Sequence, residues 1–434
     1  MQLQTVVVTL WLLQLMEEHE MTTNSTNKFG PRSIVYPHAI DRDEYDWPTF
    51  SDEEFERRHQ LIRGFMTSND LDCILIAGNS AIWERGWANI RWVSNFMGTM
   101  ELDAFCIFPR EGEPTLAILG LNARLPDRLA RSVIPDIRGA LNTRTILVDR
   151  LNELGLTNSR IGIIKPAPYL SIHADHWSDL HESFPNSEFV CYSDEFWKMR
   201  LVHSKEEVAC LEEAGRIGDA AVQAIMDELR PGMTEHDLFR IIYNTFASEG
   251  GEIPCMVLAA SESMDRPKSA FQRPRPINRE ICQGDILLLE LGARDGHGYE
   301  AQTGKPITFG PPNARYQDML DVCLEAYEAI ASVLKPGCCA KDIREAGQVI
   351  VDRGYTVVAP LVHGVFNPLD AGPFVGTSHR PDKDVILEPN MACCVEIHPC
   401  NEDITAGVFM GDTFLITEDG ARSLNHIPAK VYEV

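Results

Sequence analysis

Three residues in the second half of the chain set an ionisable group among apolar neighbours. His363 lies in the short segment LVHG, Glu396 lies in MACCVEI, and Glu290 closes the apolar run DILLLE. An imidazole titrates near neutral pH and serves as a general acid or base. A carboxylate in an apolar strand must find a partner or take up a proton, so Glu290 and Glu396 could hold a cationic nitrogen, pair with the imidazole, or form structural ion pairs. His398 follows Glu396 by two residues and on a strand would share its face, as a candidate second imidazole or as a structural histidine beside Pro399. His379, in the loop GTSHRPDKD, could cover a pocket mouth or simply be solvated. The segment SESMDRPKSAFQRPRP carries Arg266, Lys268, Arg273 and Arg275. Its arginines, Arg273 foremost, suit a substrate carboxylate through bidentate contacts, unless the prolines merely order a solvated loop. The doublet Cys393 and Cys394 reads as core packing rather than nucleophile, since nothing nearby would lower a thiol pKa.

The elements that must position these groups follow from periodicity. SDEEFERRHQLIRGFMTSN predicts a helix capped by Ser51, and LDCILIAG a buried strand after it. DAFCIFP, TLAILGL, RTILVD, SRIGIIK and SEFVCYS read as further strands of a mixed sheet covered by helices. Ser204 to Glu207 form a capping box that opens a long helix, with apolar residues at helical spacing from Val208 to Ile225. A second helix capped by Thr234 follows, then strands in CMVLAAS, GDILLLELGA and KPITFG. A further helical pair, RYQDMLDVCLEAYEAIASVLKPG and CAKDIREAGQVIVDRG, precedes strands in NMACCVEIHPC and GVFMGDTFLIT. The order helix pair, strands, helix pair, strands doubles within one α/β (α+β) unit. Expected boundaries are a leader or disordered extension over 1–45, an α/β domain over 46–200 and a second domain over 201–434.

The 434 residues suffice for two domains with their own cores, and a composition 44% hydrophobic and 24% charged excludes wholesale disorder. The formal net charge of −25 argues against nucleic acid and bare membrane surfaces as partners. Twelve cysteines without a CxxC pair give no support to a zinc ribbon and point to a reduced, cytoplasmic compartment. The apolar run TVVVTLWLLQL is too short to span a bilayer and lacks the basic flank and cleavage site of a signal, so a disordered or mis-started leader is expected.

Six pieces in order resemble the pita-bread fold of the creatinase, aminopeptidase P and methionine aminopeptidase superfamily: KMRLVHSKEEVACLEEAGRIGDAA, GDILLLELGARDGHGYEAQTGKPITFG, LKPG, LVHG, LEPNMACCVEIHP and GDTFLITEDGARSL. The resemblance covers roughly residues 50 to 430. Metallopeptidases of this superfamily hold two divalent ions with two Asp, one His and two Glu. Carried over, the resemblance puts Glu290 at the first Asp, Gln302 at the second, Lys305 near the usual Arg, His363 at the His, Glu396 at the first Glu and Gly411 at the last Glu, before Asp412. Two ligands are kept, one is an Asp-to-Glu change and two lose their charge, so a dinuclear site is expected to fail. Glu300, on the strand face of Gln302, could support a single ion.

Such a ligand set resembles the metal-independent creatinase and ectoine hydrolase branch. It implies a hydrolase of a carbon–nitrogen bond in a small zwitterionic metabolite, with no cofactor, in which His363 relays protons, Glu290 and Glu396 hold the substrate's positive group, and Gln302 adds a neutral hydrogen bond. The histidine that creatinase-like members carry before the first pocket strand is missing from SESMDRPKSAFQRPRP. The alternatives are an Xaa-Pro dipeptidase, an aminopeptidase or a dimethylsulfoniopropionate-type lyase with one divalent ion, or a non-catalytic binding module. Resemblance alone also implies a homodimer.

Overall fold

The computed structural model describes residues 34–35 and 47–434, apart from 82, 99–102, 120–130, 168–169, 254, 366–372 and 377–383. Most of the expected leader over 1–45 lies outside the described residues, as does His379. Within that leader Ile34–Val35 forms a strand, β1, paired antiparallel with the fifth strand.

The first unit is a seven-stranded mixed sheet in the order β1-β5-β4-β3-β2-β6-β7. Its strands are β2 (Cys73–Asn79), β3 (Asp103–Pro109), β4 (Thr115–Leu119), β5 (Asp136–Ala140), β6 (Arg160–Ile164) and β7 (Glu188–Cys191). Helices α1 (Asp52–Ser68), α2 (Ala88–Ser94), α3 (Thr143–Glu153), α4 (Ala174–Ser183) and α5 (Ser193–Lys198) accompany it. Ser51 caps α1 as its motif predicts, accepting from the Glu54 N–H at 3.1 Å. RTILVD, expected as a strand, is helical. Asn142 accepts from the Thr145 N–H at 3.0 Å and starts α3, and the buried run Ile146, Leu147 and Leu151 continues at helical spacing. The strand of that region is Asp136–Ala140, whose Asp and Arg disguise it.

The second unit opens with α6 (Lys205–Glu228), whose capping box is complete: the Ser204 hydroxyl accepts from the Glu207 N–H at 3.2 Å, and the Glu207 carboxylate accepts from the Ser204 N–H at 2.7 Å. Helices α7 (Glu235–Ser248), α8 (Ala314–Val333), α9 (Ala340–Ala346) and α10 (Val349–Asp352) follow. The main sheet runs β14-β13-β15-β17-β10-β9-β11-β19, with β8 added on β9 and β18 on β17. These strands are β8 (Met256–Ser263), β9 (Asp285–Arg294), β10 (Glu300–Gly304), β11 (Ile307–Thr308), β13 (Val362–Gly364), β14 (Phe374–Val375), β15 (Ala392–Ile397), β17 (Met410–Ile416), β18 (Ala421–Ser423) and β19 (Tyr432–Glu433). A separate pair joins β12 (Thr356–Val357) to β16 (Pro399–Cys400).

Strand alternation assigns the two faces of this sheet. Leu287, Leu289 and Leu291 of β9 pack with Ile217, Ile225 and Ile242 of α6 and α7, while Val395, Ile397 and Met410 pack with Met319, Val322 and Ile330 of α8. Glu290, Gln302 and Glu396, out of phase with those residues, share the opposite face. This is the expected α/β architecture, with the pita-bread doubling of helices on strands. Among the described residues no helix is long and apolar enough to cross a membrane, and the twelve cysteines are all free.

Candidate active site

Antiparallel register brings the key residues into one row. Glu396 of β15 stands opposite Gly411 of β17, and Gly411 stands opposite Gly304 of β10. One step beyond the Leu291–Thr303 pair, Glu290 of β9 is level with Gly304. Two glutamates therefore flank two glycines. Their carboxyl groups come close enough for the charge of Glu396 to act on Glu290 directly. Part of the Glu290 side chain reaches solvent, yet its carboxyl is ringed by protein. Burial first, then the charge of Glu396, pushes Glu290 well above the usual carboxylate range, against a smaller opposing pull from Arg85.

His363 of β13 pairs in register with Cys394, two residues before Glu396, and so shares that face. Its Nδ1 lies 2.9 Å from the Gly364 carbonyl oxygen and its Nε2 3.3 Å from Glu396 Oε2. A carbonyl can only accept, so Nδ1 carries the hydrogen and Nε2 is left to take a proton or offer its lone pair. Glu290, Glu396 and His363 are thus brought together, with Glu396 in the middle.

Gln302 is buried on the same face, and its Nε2 donates to Glu300 Oε1 at 3.3 Å. That bond orients the amide, and its Oε1 is buried with no hydrogen-bond partner. Glu300 does share the face of Gln302, but it is not a spare ligand. Arg85 of the first unit and Arg294, at 3.0 Å, both bind its carboxylate. Burial alone would raise its pKa, but the two guanidiniums reverse this and hold it below the usual range. Lys305 points through the opposite face to Asp412, which also accepts from Thr303 at 3.0 Å and Tyr327 at 2.6 Å. The Lys–Asp pair is therefore part of the scaffold behind Gly304 and Gly411.

The remaining candidates lie around this group. The Nε2 of His398 is 2.7 Å from the Ala270 carbonyl oxygen, and its ring packs on Phe271 and Phe409 with centroids 5.0 and 5.5 Å away. Burial lowers its pKa, so it is a neutral wall group. Arg273 binds Glu235 and, at 3.0 Å, Glu262, so its charge is committed to those acids. Cys393 and Cys394 are buried, and burial pushes the Cys393 thiol up to about 12, in keeping with core packing. Sequence reasoning did not find Arg85. Its segment IWERGW carries no periodic signal, and only the meeting of the two units brings it to Glu300.

The fit to a metal can be judged from these donors. Glu290 and His363 each reach Glu396, and the unpartnered Gln302 Oε1 lies on the same face, so the donor types suit a divalent ion, but Glu290, Glu396 and His363 do not bring three ligand atoms within 4.8 Å of one another as they stand. A second ion has no comparable cradle. Gly411 has no side chain, and a Cβ there would meet the Phe409 ring at 3.4 Å and the Val395 carbonyl oxygen at 3.1 Å. Glu300 is already neutralised.

Comparison with known proteins bears on the same residues. The profile of metallopeptidase family M24 matches residues 209–418. An Xaa-Pro dipeptidase of Pyrococcus furiosus is 25% identical over 374 residues, 85% of this chain and 97% of that protein. The prolidase of Pyrococcus horikoshii superposes with a TM-score of 0.71 at 23% identity, covering 86% of this chain and 99% of that one. Dipeptidase PepE of Mycobacterium ulcerans gives 0.72 at 20% identity, covering 89% and 100%. The second unit, over residues 209–418, is thereby matched to metallopeptidase family M24, in agreement with the resemblance to the creatinase, aminopeptidase P and methionine aminopeptidase superfamily. By that match the chain is a hydrolase acting on carbon–nitrogen bonds. The match also corrects one expectation. A cofactor-free enzyme was expected from the lost ligands, whereas the match is to a metallopeptidase family.

Proposed function

We propose that the chain is a dipeptidase-type hydrolase that cleaves the carbon–nitrogen bond of a small zwitterion, an Xaa-Pro dipeptide above all, with one divalent ion per chain. The observation that carries this reading is the convergence of Glu290, Glu396 and His363 above the Gly304–Gly411 floor. The Xaa-Pro dipeptidase relative, matched over 97% of its own length, supports the substrate class. Glu290, Glu396, His363 and Gln302 would hold the ion, which when bound supplies Lewis acidity toward a carbonyl and toward water.

The chain's own groups do the rest. His363, fixed through Nδ1 on the Gly364 carbonyl, presents its Nε2 lone pair to the ion and moves no proton there while the ion is bound. Glu396, 3.3 Å from that nitrogen, would share the ion with it. Glu290 binds a substrate ammonium or gives up its own proton as the cationic ligand arrives. The two glycines make room for the Phe409 ring, which lies 2.7–3.4 Å from where their Cβ atoms would stand.

The test is proline release from Ala-Pro and other Xaa-Pro dipeptides by chelator-stripped protein with zinc, manganese, cobalt or iron added back, alongside metal analysis. Cleavage that saturates at one ion per chain is expected, with Ala-Pro-Ala cut poorly. Absence of cleavage of every dipeptide with every ion would remove the reading. A homodimer belongs to this proposal too. Light scattering behind a sizing column should give twice the 48.7 kDa chain mass, and a monomer would reject that part.

A further inference from the structure

The turn between β9 and β10 carries groups for which the pocket has no use. Asp295, buried, and His297, half-buried, meet Cys210, buried on α6. One ligand atom from each, a sulfur, a carboxylate oxygen and an imidazole nitrogen, all lie within 4.8 Å of one another. The cluster is held from several sides. Asp295 accepts from the Tyr299 N–H at 2.8 Å, and its other oxygen is 2.8 Å from His297 Nδ1. The Phe50 ring packs 5.0 Å from the His297 ring, and Arg91 donates to the Gly296 carbonyl oxygen at 2.8 Å.

We propose that Cys210, Asp295 and His297 form a second metal site, outside the hydrolytic pocket, for one divalent cation of the zinc class. Three donors of this mixture suit a borderline-soft ion and leave a fourth position for water, whereas calcium and magnesium prefer all-oxygen shells. Donors of a tetrahedral site stand roughly 3.3–3.8 Å apart, so a contraction of the present cluster, with slight opening of the Asp295–His297 contact, completes it. The half-exposed His297 gives the ion a way in. On binding, the thiol S–H bond breaks, its proton passes to solvent and a sulfur–metal bond forms. The ion clips α6 to the hairpin that carries Glu290 and Gln302, whatever substrate the pocket takes.

Cobalt(II) titrated into chelator-stripped full-length protein tests this, because a thiolate bound to cobalt absorbs in the near ultraviolet and the oxygen and nitrogen donors of the pocket do not. The expected result is such a band, complete by two equivalents because the pocket takes the other ion, bleached by zinc, lost in Cys210→Ser and retained in Glu290→Gln. Cys394 shares the pocket face, so a band that survives in Cys210→Ser belongs to the pocket and overturns the proposal, as does a wild-type protein with no band. His297→Ala alters a half-exposed turn and should leave the fold intact. It is expected to weaken zinc binding at the band-bearing site by more than about 100-fold, beyond what a supporting outer contact controls, and unchanged affinity in that variant would also refute the site.

Discussion

The carboxyl groups of Glu290 and Glu396 approach each other from strands that are not neighbours. β10 and β17 lie between them, and three inter-strand steps amount to roughly 14 Å in a flat sheet. That is near the limit of two outstretched glutamates, so the contact requires the sheet to curve toward this face. It also requires Gly304 and Gly411 beneath. A Cβ on Gly304 would land on the Leu289 carbonyl oxygen and within 2.9 Å of the Phe409 ring.

If this contact, with His363 beside it, is the reacting centre, Glu396→Gln and His363→Ala should each lower kcat/KM for a cleaved dipeptide by about 10³-fold or more. Melting temperatures should move little, since both side chains face the pocket. Steady-state kinetics with calorimetry decide it, and wild-type turnover in either variant would discard the assignment.

Gln302→Glu should tighten the single ion. The change is isosteric and replaces a neutral oxygen by a charged one, and Arg85 and Arg294 are at hand to offset the new repulsion with Glu300. Affinity is expected to rise about tenfold, or 1.4 kcal/mol, read by competition against a chromophoric chelator. An unchanged or weaker constant would mean that Gln302 does not face the ion.

Arg85 and Glu300 join the two units through a buried ion pair, with 11% and 4% of the side chains exposed. Arg85→Met should cost about 2–4 kcal/mol, because it strips Glu300 of one of two partners. Adding Glu300→Gln to it should recover more than about 1 kcal/mol. Urea unfolding of the four proteins gives the coupling, and strictly additive losses would show that the pair contributes nothing.

Acid sensitivity should centre on Glu207. Burial alone would raise its pKa, but Arg58 at 3.1 Å, His203, the Tyr299 hydroxyl at 2.6 Å and the Ser204 N–H hold it at about 2, against an ordinary 4.5. A depressed carboxylate contributes stability that is present above the unfolded value and is lost as pH falls from there toward the folded one. Between about pH 4.5 and 2 the wild type should lose on the order of 3 kcal/mol from this group. Glu207→Gln should be weaker at pH 7 and flatter across that window, and an unchanged slope in urea melts would place the sensitivity elsewhere.

Much of the fold was legible because the capping residues Ser51, Ser204 and Thr234 announce their helices and the apolar runs of β9 and β15 announce the sheet. RTILVD misled, since a short β-branched run does not say which period it follows until Asn142 is seen to cap it. In the pocket, His363, Glu396 and Glu290 could be named from apolar flanks and motif order. Their approach to one another depends on register and sheet curvature, which one strand's sequence does not encode. Arg273 and Glu300 looked available because the acids of α7 and β8 and the arginines that claim them are remote in the chain.

The first unit grips the β9–β10 hairpin at its turn end, through Arg91 on Gly296 and Arg85 on Glu300. Any swing of one body against the other would drag the strands bearing Glu290 and Gln302 with it. A ligand wedged at that seam would thus shift the reacting groups without entering the pocket.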